Sequence, residues 1–178
     1  LSNTTLDPIQ LSSILKNLKK NGIEYIIMEA SSHGLKQNRL DGLMFDIGIF
    51  TNLSHDHLDY HQNMKNYLNS KMYLFNSLLE KNSNIITDSN NKQFTKLKRI
   101  AYLRKLKLKS IGYNNADLKI LNHSYREDYQ VLKIFYKSKI YNFKIPLIGF
   151  IQCKNLLMSI LAANSIGLKI EKIIEFAG

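Results

Sequence analysis

The sequence predicts an α/β fold: a mostly parallel, Rossmann-like sheet flanked by helices, with a small antiparallel β meander over about 118–147. Short Ile- and Phe-rich runs bounded by Gly, Ser or Asn, such as Tyr25-Ile26-Ile27-Met28-Glu29 and Phe45-Asp46-Ile47-Gly48-Ile49-Phe50, read as strands buried on both faces. Segments of helical apolar periodicity separate them, and that alternation argues for βαβ units with right-handed connections. Past Ile111 apolar and polar residues alternate one by one, the pattern of antiparallel strands.

Asp7 followed by Pro8 marks a helix start, an N-cap before proline at the first helical position. Ile9, Leu11, Ile14, Leu15 and Leu18 supply its apolar stripe, and Asn21-Gly22 closes it. A strand over 24–29 is expected next, then a loop and short helix through Gln37 and Arg39, then a strand over 45–51. Met64, Tyr67, Leu68, Lys71, Met72, Phe75 and Leu78 fall at helical spacing. Residues 84–88 read as a further strand and 91 to about 106 as a further helix. The meander turns at Lys137-Ser138-Lys139 and is expected as a subdomain over 111–147, a small sheet beside the main one. Helical pattern returns from Asn155 to Ile166, and a last short helix follows Gly167.

At 178 residues, with 44% hydrophobic and 22% charged residues, the chain can bury a sizeable core. No apolar run approaches the roughly 20 residues of a membrane span. A single cysteine, Cys153, excludes an internal disulfide and suggests a reducing cytoplasm. The formal charge of +11 is densest from Lys96 to Lys109, where apolar residues interleave as in a surface helix or strand. A solvated face is the expectation there, with no nucleic-acid and no membrane partner.

The chemistry gathers where the first two strands end. Ligands of open α/β sheets bind outside the carboxyl ends of the strands, so Ala30-Ser31-Ser32-His33-Gly34 and Thr51-Asn52-Leu53-Ser54-His55-Asp56-His57-Leu58-Asp59-Tyr60-His61 are expected to face one crevice. Imidazoles and carboxylates at a strand end suit first-row metals. His55, His57 and Asp59 fit a His-x-His-x-Asp-His hydrolase pattern, but Tyr60 stands where the next histidine is needed and His61 comes one position late. The same histidines also suit loop or helix caps. Glu29 closes a strand as Mg²⁺-binding carboxylates do, and Ser31, Ser32 and Gly34 offer hydroxyls and amides suited to anions. Lys71 lies on the inward stripe of its helix, where its stem can snorkel outward or its amine can be held beside a metal and modified to an anion.

Taken together, Met28-Glu29-Ala30-Ser31-Ser32-His33-Gly34-Leu35, Gln37, Arg39, Phe50-Thr51-Asn52-Leu53-Ser54, Asp56-His57-Leu58-Asp59-Tyr60-His61, Tyr67 and Lys71 resemble the central domain of the Mur ligases. The Ser-Ser-His-Gly form looks like the MurE type, which adds the third amino acid to UDP-N-acetylmuramoyl-L-alanyl-D-glutamate. Asn3-Thr4-Thr5 and the stretch from Leu147 to Leu157 extend the likeness over essentially the whole chain. The resemblance implies that Asn3, Thr4, Thr5, Ser31, Gln37 and Arg39 contact the UDP-muramoyl-dipeptide. It implies that Glu29 and His57 are Mg²⁺ ligands, that Lys71 is carbamylated and joins them, and that Asn155 lies on the nucleotide side.

The implied reaction is ATP-dependent amide formation in bacterial cytoplasm through an acyl phosphate, with diaminopimelate by default, or lysine, as the incoming diamino acid, carried out by a monomer. No Gly-x-x-Gly-Lys-Thr/Ser phosphate loop occurs in the sequence. Residues 1–178 are accordingly expected to be most of a central domain, without that loop and without the C-terminal domain, and inactive alone. His55 replaces a residue that is often Arg in the MurE type. A metal-dependent hydrolase built on His55–His61 and a folylpolyglutamate synthetase-like ligase are the alternatives.

Overall fold

The computed structural model describes residues 4–54 and 56–177, so Asn3 and His55, both singled out above, lie outside the described residues. The chain divides into two compact units. One takes in the described residues through Phe45 together with Leu53–Glu80; the other takes in Asp46–Asn52 and the described residues from Lys81 onward.

The first unit is helical. Helix α1 (Pro8–Lys20) starts as the sequence requires, with Asp7 Oδ1 accepting from the amides of Ile9 at 3.0 Å and Gln10 at 3.1 Å. Helix α2 (Ser32–Lys36) is capped by Ser31, a short α3 spans Leu58–His61, and α4 (Met64–Tyr73) is capped by Asn63 and runs into a π-helical turn at Leu74–Leu78. Leu11, Leu35, Leu40, Tyr67, Met72 and Phe75 are buried in this unit.

The strand expected over 24–29 is not one of the six strands, and residues 23–30 have no regular secondary structure. Ile27 is 100% exposed and Tyr25 61%. An apolar run supplies the tendency to extend, but a strand exists only when a neighbouring strand takes up its amides and carbonyls, and among the described residues no strand pairs with this run. Ile26 and Met28 instead line a shallow apolar groove of about 250 Å³ with Leu11, Ile14 and Leu18 of α1.

The sheet has strand order β1-β2-β3-β4-β5-β6, with β1 Phe45–Phe50, β2 Leu79–Asp88, β3 Lys107–Gly112, β4 Leu118–Tyr125, β5 Gln130–Tyr136 and β6 Lys139–Ile145. The α/β class holds, and α5 (Phe94–Arg104) makes the crossover between the parallel pair β2 and β3. The antiparallel meander β4-β5-β6 is present, but it continues the same sheet instead of forming a second one beside it. The join is narrow: β3 and β4 run parallel and register only at Ile111↔Leu118 and Gly112↔Lys119. A short connection allows no more, because full parallel overlap needs a long crossover. Strand β3 went unread in the sequence because its lysines alternate with Leu106 and Leu108 inside a run that also suits a helix.

Helix α6 (Phe150–Ser165) buries Cys153, Leu157, Met158, Ile160 and Leu161 against Ile111, Leu118, Ile120, Leu132, Ile134 and Ile145, and α7 (Ile170–Ala177) adds Ile170. Gly149, at φ +86°, is the residue from which α6 departs. Buried Gln130 fixes that departure: its Nε2 donates to the carbonyl of Leu147, and its Oε1 accepts from His123 Nε2 at 2.7 Å. At the end of β2, Asp88 pairs with Lys154 of α6 at 2.7 Å and accepts the Asn90 amide at 2.9 Å.

Candidate active site

The residues of interest in the first unit are held by one hydroxyl network. Thr5 is 1% exposed and its Oγ1 lies 3.2 Å from the Glu29 carbonyl, 2.8 Å from Ser31 Oγ and 3.0 Å from the Ser31 amide. A hydroxyl has one proton, so if Thr5 donates to the Glu29 carbonyl, Ser31 Oγ must donate to Thr5. Ser31 Oγ in turn accepts from the Gly34 amide at 3.1 Å and caps α2. The Arg39 guanidinium closes the ring, Nη1 donating to the Thr5 carbonyl at 2.7 Å. Gly34 belongs to this packing as well, since a Cβ there would stand 2.7 Å from Thr5 Cβ. The turn that carries Glu29 is therefore tied to Thr5, Ser31 and Arg39. Thr5 itself is internal, with its hydroxyl occupied, while Thr4 is exposed.

A second cluster is aromatic. His33, at the start of α2, packs 4.1 Å from the Tyr60 ring, 5.0 Å from His57 and 5.4 Å from His61, measured between centroids. Gln37 Nε2 donates to Tyr60 Oη at 2.9 Å. His57 sits in the left-handed region, φ 55°, immediately before α3, and its amide donates to Asp56 Oδ1 at 2.8 Å. A non-glycine residue in that conformation costs on the order of 1 kcal/mol and persists only where the surroundings fix it, which is common at functional sites. The His57 ring remains exposed and lies 5.9 Å from that of Tyr67.

His61 has a different fate. It is fully buried, with Nε2 3.0 Å from Ser32 Oγ and Nδ1 3.5 Å from Ser70 Oγ, and its ring stacks on Tyr67 at 5.0 Å. Ser70 spends its proton on the Asn66 carbonyl at 2.9 Å. Burial, then the neighbouring His33, Lys36 and His57, hold the His61 pKa below its ordinary 6.5, against a smaller opposing pull from Asp59. The unfolded chain thus binds a proton that the folded chain refuses, so this contribution to stability is whole above about pH 6.5 and is lost as the pH falls below it. Urea midpoints are expected to drop between about pH 7.5 and about pH 5, and His61→Gln is expected to flatten that dependence. An unchanged slope in the variant would place the acid sensitivity elsewhere.

Lys71 is half-buried on α4, with Nζ 5.2 Å above the Tyr67 ring. Burial lowers its pKa, and the carboxylates of Glu29 and then Asp56 act in the opposite direction. His57 and Lys71 thus both meet the Tyr67 ring, and the His57 amide is bonded to Asp56. Among the described residues no group of three or more His, Cys, Asp or Glu side chains is placed to hold a metal. The hydrolase expectation finds no support in this arrangement: His61 is committed to Ser32 inside the core, away from the role its spacing suggested. Glu29 supplies a carboxylate and His57 an exposed imidazole, donor types compatible with an ion that takes its other ligands from water and phosphate. Asn155 belongs to the second unit, on α6, where its Nδ2 donates to Gln152 Oε1 at 3.3 Å.

Comparison with known proteins gives the family. The profile of the Mur ligase middle domain matches residues 1–163. The chain belongs to that family. A Rickettsia conorii protein named UDP-N-acetylmuramoyl-L-alanyl-D-glutamate--2,6-diaminopimelate ligase is 38% identical over 174 residues, covering 97% of this chain and 36% of that protein. A protein of the same name from Chelativorans is 36% identical over 169 residues, covering 95% of this chain and 35% of its own length. A solved structure of a ligase of that name superposes with a TM-score of 0.88 at 28% identity, over 98% of this chain and 36% of that one. A folylpolyglutamate synthetase complex, at 10% identity and a TM-score of 0.64, shares the fold. This Mur ligase middle domain thus spans little more than a third of the relatives it matches. Sequence reading of the domain singled out Glu29, His57 and Lys71 but missed Asp56 as the second carboxylate near the lysine, and missed His33 as the hub of the aromatic cluster. The Asp-His pair in the motif was the available signal for the first.

Proposed function

We propose that this Mur ligase middle domain works within a longer ATP-dependent ligase of peptidoglycan precursor synthesis. That enzyme adds a diamino acid, diaminopimelate or lysine, to UDP-N-acetylmuramoyl-L-alanyl-D-glutamate. The family match and the names of the relatives support the reaction class, and this domain covers only about a third of each of those relatives. The observation that carries the reading is the half-buried Lys71 amine over the Tyr67 ring, which His57 also meets, with the charges of Glu29 and Asp56 acting on that amine.

In this reading Glu29, His57 and a carbamate on Lys71 would hold Mg²⁺, which would supply positive charge to offset that of phosphate groups. A lowered amine pKa favours the free base that adds carbon dioxide, and the resulting carbamate turns a cation into an oxygen donor. Arg39, braced on the Thr5 carbonyl, offers its remaining donors to an anionic substrate, a bidentate task suited to guanidinium. Ser31 and Thr5 hold the Glu29 turn in place, and Gln37 and Tyr60 present amide and phenol edges on the exposed side. The same reading assigns Asn3 and Thr4 to contact with the nucleotide-sugar substrate and Asn155 to the ATP side. The substrate carboxylate attacks the γ-phosphate of ATP to give acyl phosphate and ADP, and the incoming amine then displaces phosphate.

Titration of the intact protein with UDP-N-acetylmuramoyl-L-alanyl-D-glutamate tests this directly. Binding is expected, and Arg39→Ala is expected to weaken it roughly 10- to 100-fold, the worth of a hydrogen bond to a charged group. An intact protein that binds no nucleotide sugar would end the proposal.

A further inference from the structure

From Ser89 to Ala116 the chain carries eight basic residues and no acid over 28 positions. The carboxylates at either edge are engaged internally, Asp88 by Lys154 at 2.7 Å and Asp117 by the Ser110 amide at 2.7 Å. Lys109 also turns inward, donating to Ser165 Oγ at 2.8 Å. On the outer side of α5 and the turn after it, Lys96, Lys98, Arg99, Lys105 and Lys107 are exposed.

The helix period separates the two faces of α5. Leu97, Ile100 and Ala101 are buried, which places Lys98, Arg99 and Tyr102 on the opposite side with Leu103 flanking them. Among the apolar residues interleaved in this basic run, Tyr102 is 85% exposed and Leu103 66%. A helix face that only meets solvent gains nothing from a Tyr-Leu pair set among cations. An anionic bilayer uses all of it: headgroups attract the lysines and arginine, the tyrosine ring sits at the interface, and leucine reaches the acyl boundary. Nucleic acid fits less well. Single strands are held by grooves and by successive stacking rings, whereas this face is a convex helix whose one exposed aromatic is Tyr102, and Leu103 has no function at a phosphate backbone.

We propose that the outer face of α5 docks on an anionic lipid bilayer, with Lys98 and Arg99 on headgroups and Tyr102 and Leu103 at the interface. This revises the expectation of no membrane partner, and it is independent of the ligase reading. No helix among the described residues is long and apolar enough to cross a membrane, so the contact is one of surface attachment.

The chain has no tryptophan, so Tyr102→Trp gives a unique fluorescent reporter at the proposed contact. Its emission is expected to shift to the blue with phosphatidylglycerol–phosphatidylcholine vesicles, to stay unchanged with phosphatidylcholine alone, and to revert as salt is raised. Co-sedimentation of the Lys98→Gln/Arg99→Gln chain is expected to fall roughly 30-fold in partition coefficient, with thermal melting confirming that these exposed changes leave the fold intact. Three results would overturn the proposal: no shift with the anionic vesicles, equal binding to neutral ones, or undiminished binding by the double variant. Salt-sensitive binding to single-stranded RNA without vesicle binding would reassign the face to nucleic acid.

Discussion

On the proposed reading, Lys71→Ala in the intact protein is expected to lower the kcat of ligation on the order of 10²–10³-fold, the scale seen when one preorganised electrostatic group is removed from a site of charge transfer. The helix should remain folded, because the lysine is only half-buried and alanine is a strong helix former. Incubation of the unaltered protein with carbon-13-labelled bicarbonate is expected to give a carbamate resonance that the alanine variant lacks. That signal should fade as the pH falls, since only the free amine adds carbon dioxide and burial already biases Lys71 toward that form. A variant that ligates at the parental rate, or a parent with no carbamate signal, would remove Lys71 from the proposed site.

The largest effect on stability is expected from Lys154→Met. Asp88 is buried at the end of β2, and the Lys154 ammonium at 2.7 Å is its ion partner, supplemented by the Asn90 amide. Removing the cation leaves a carboxylate inside the protein with one hydrogen bond, a loss of about 3 kcal/mol or more. At roughly 2–4 °C per kcal/mol for a domain of this size, the melting temperature should fall by about 6–12 °C. Asp88→Asn combined with Lys154→Met should recover most of it, because an amide needs no counter-charge. A single variant as stable as its parent would show that water already compensates Asp88.

What could be read from the sequence followed from how local each signal is. The Asp7-Pro8 start, the periodic stripe of α4 and the alternation of the meander are set by neighbouring residues, and each element formed where its pattern lay. The 24–29 run was misread because its apolar character says nothing about where a pairing partner comes from. Strand β3 was missed because a lysine–leucine alternation reads both ways until the sheet beside it is known. At the site, Glu29 and Lys71 stood out as a strand-end acid and an inward amine, which are local anomalies. Thr5 as an internal brace, His61 as a core residue and the Gln130–His123 clamp on α6 are contacts across many positions that spacing does not encode.

The unpaired apolar ribbon at 23–28 bears on how the 178-residue chain behaves when isolated. With Ile27 fully exposed and no ladder formed, it offers a ready template on which another extended chain can zip, restrained by the acidic residues Glu24 and Glu29 near its ends. Concentrated samples should therefore tend toward fibrous association from this margin first, and a proline at Ile27 should act as a solubilising graft.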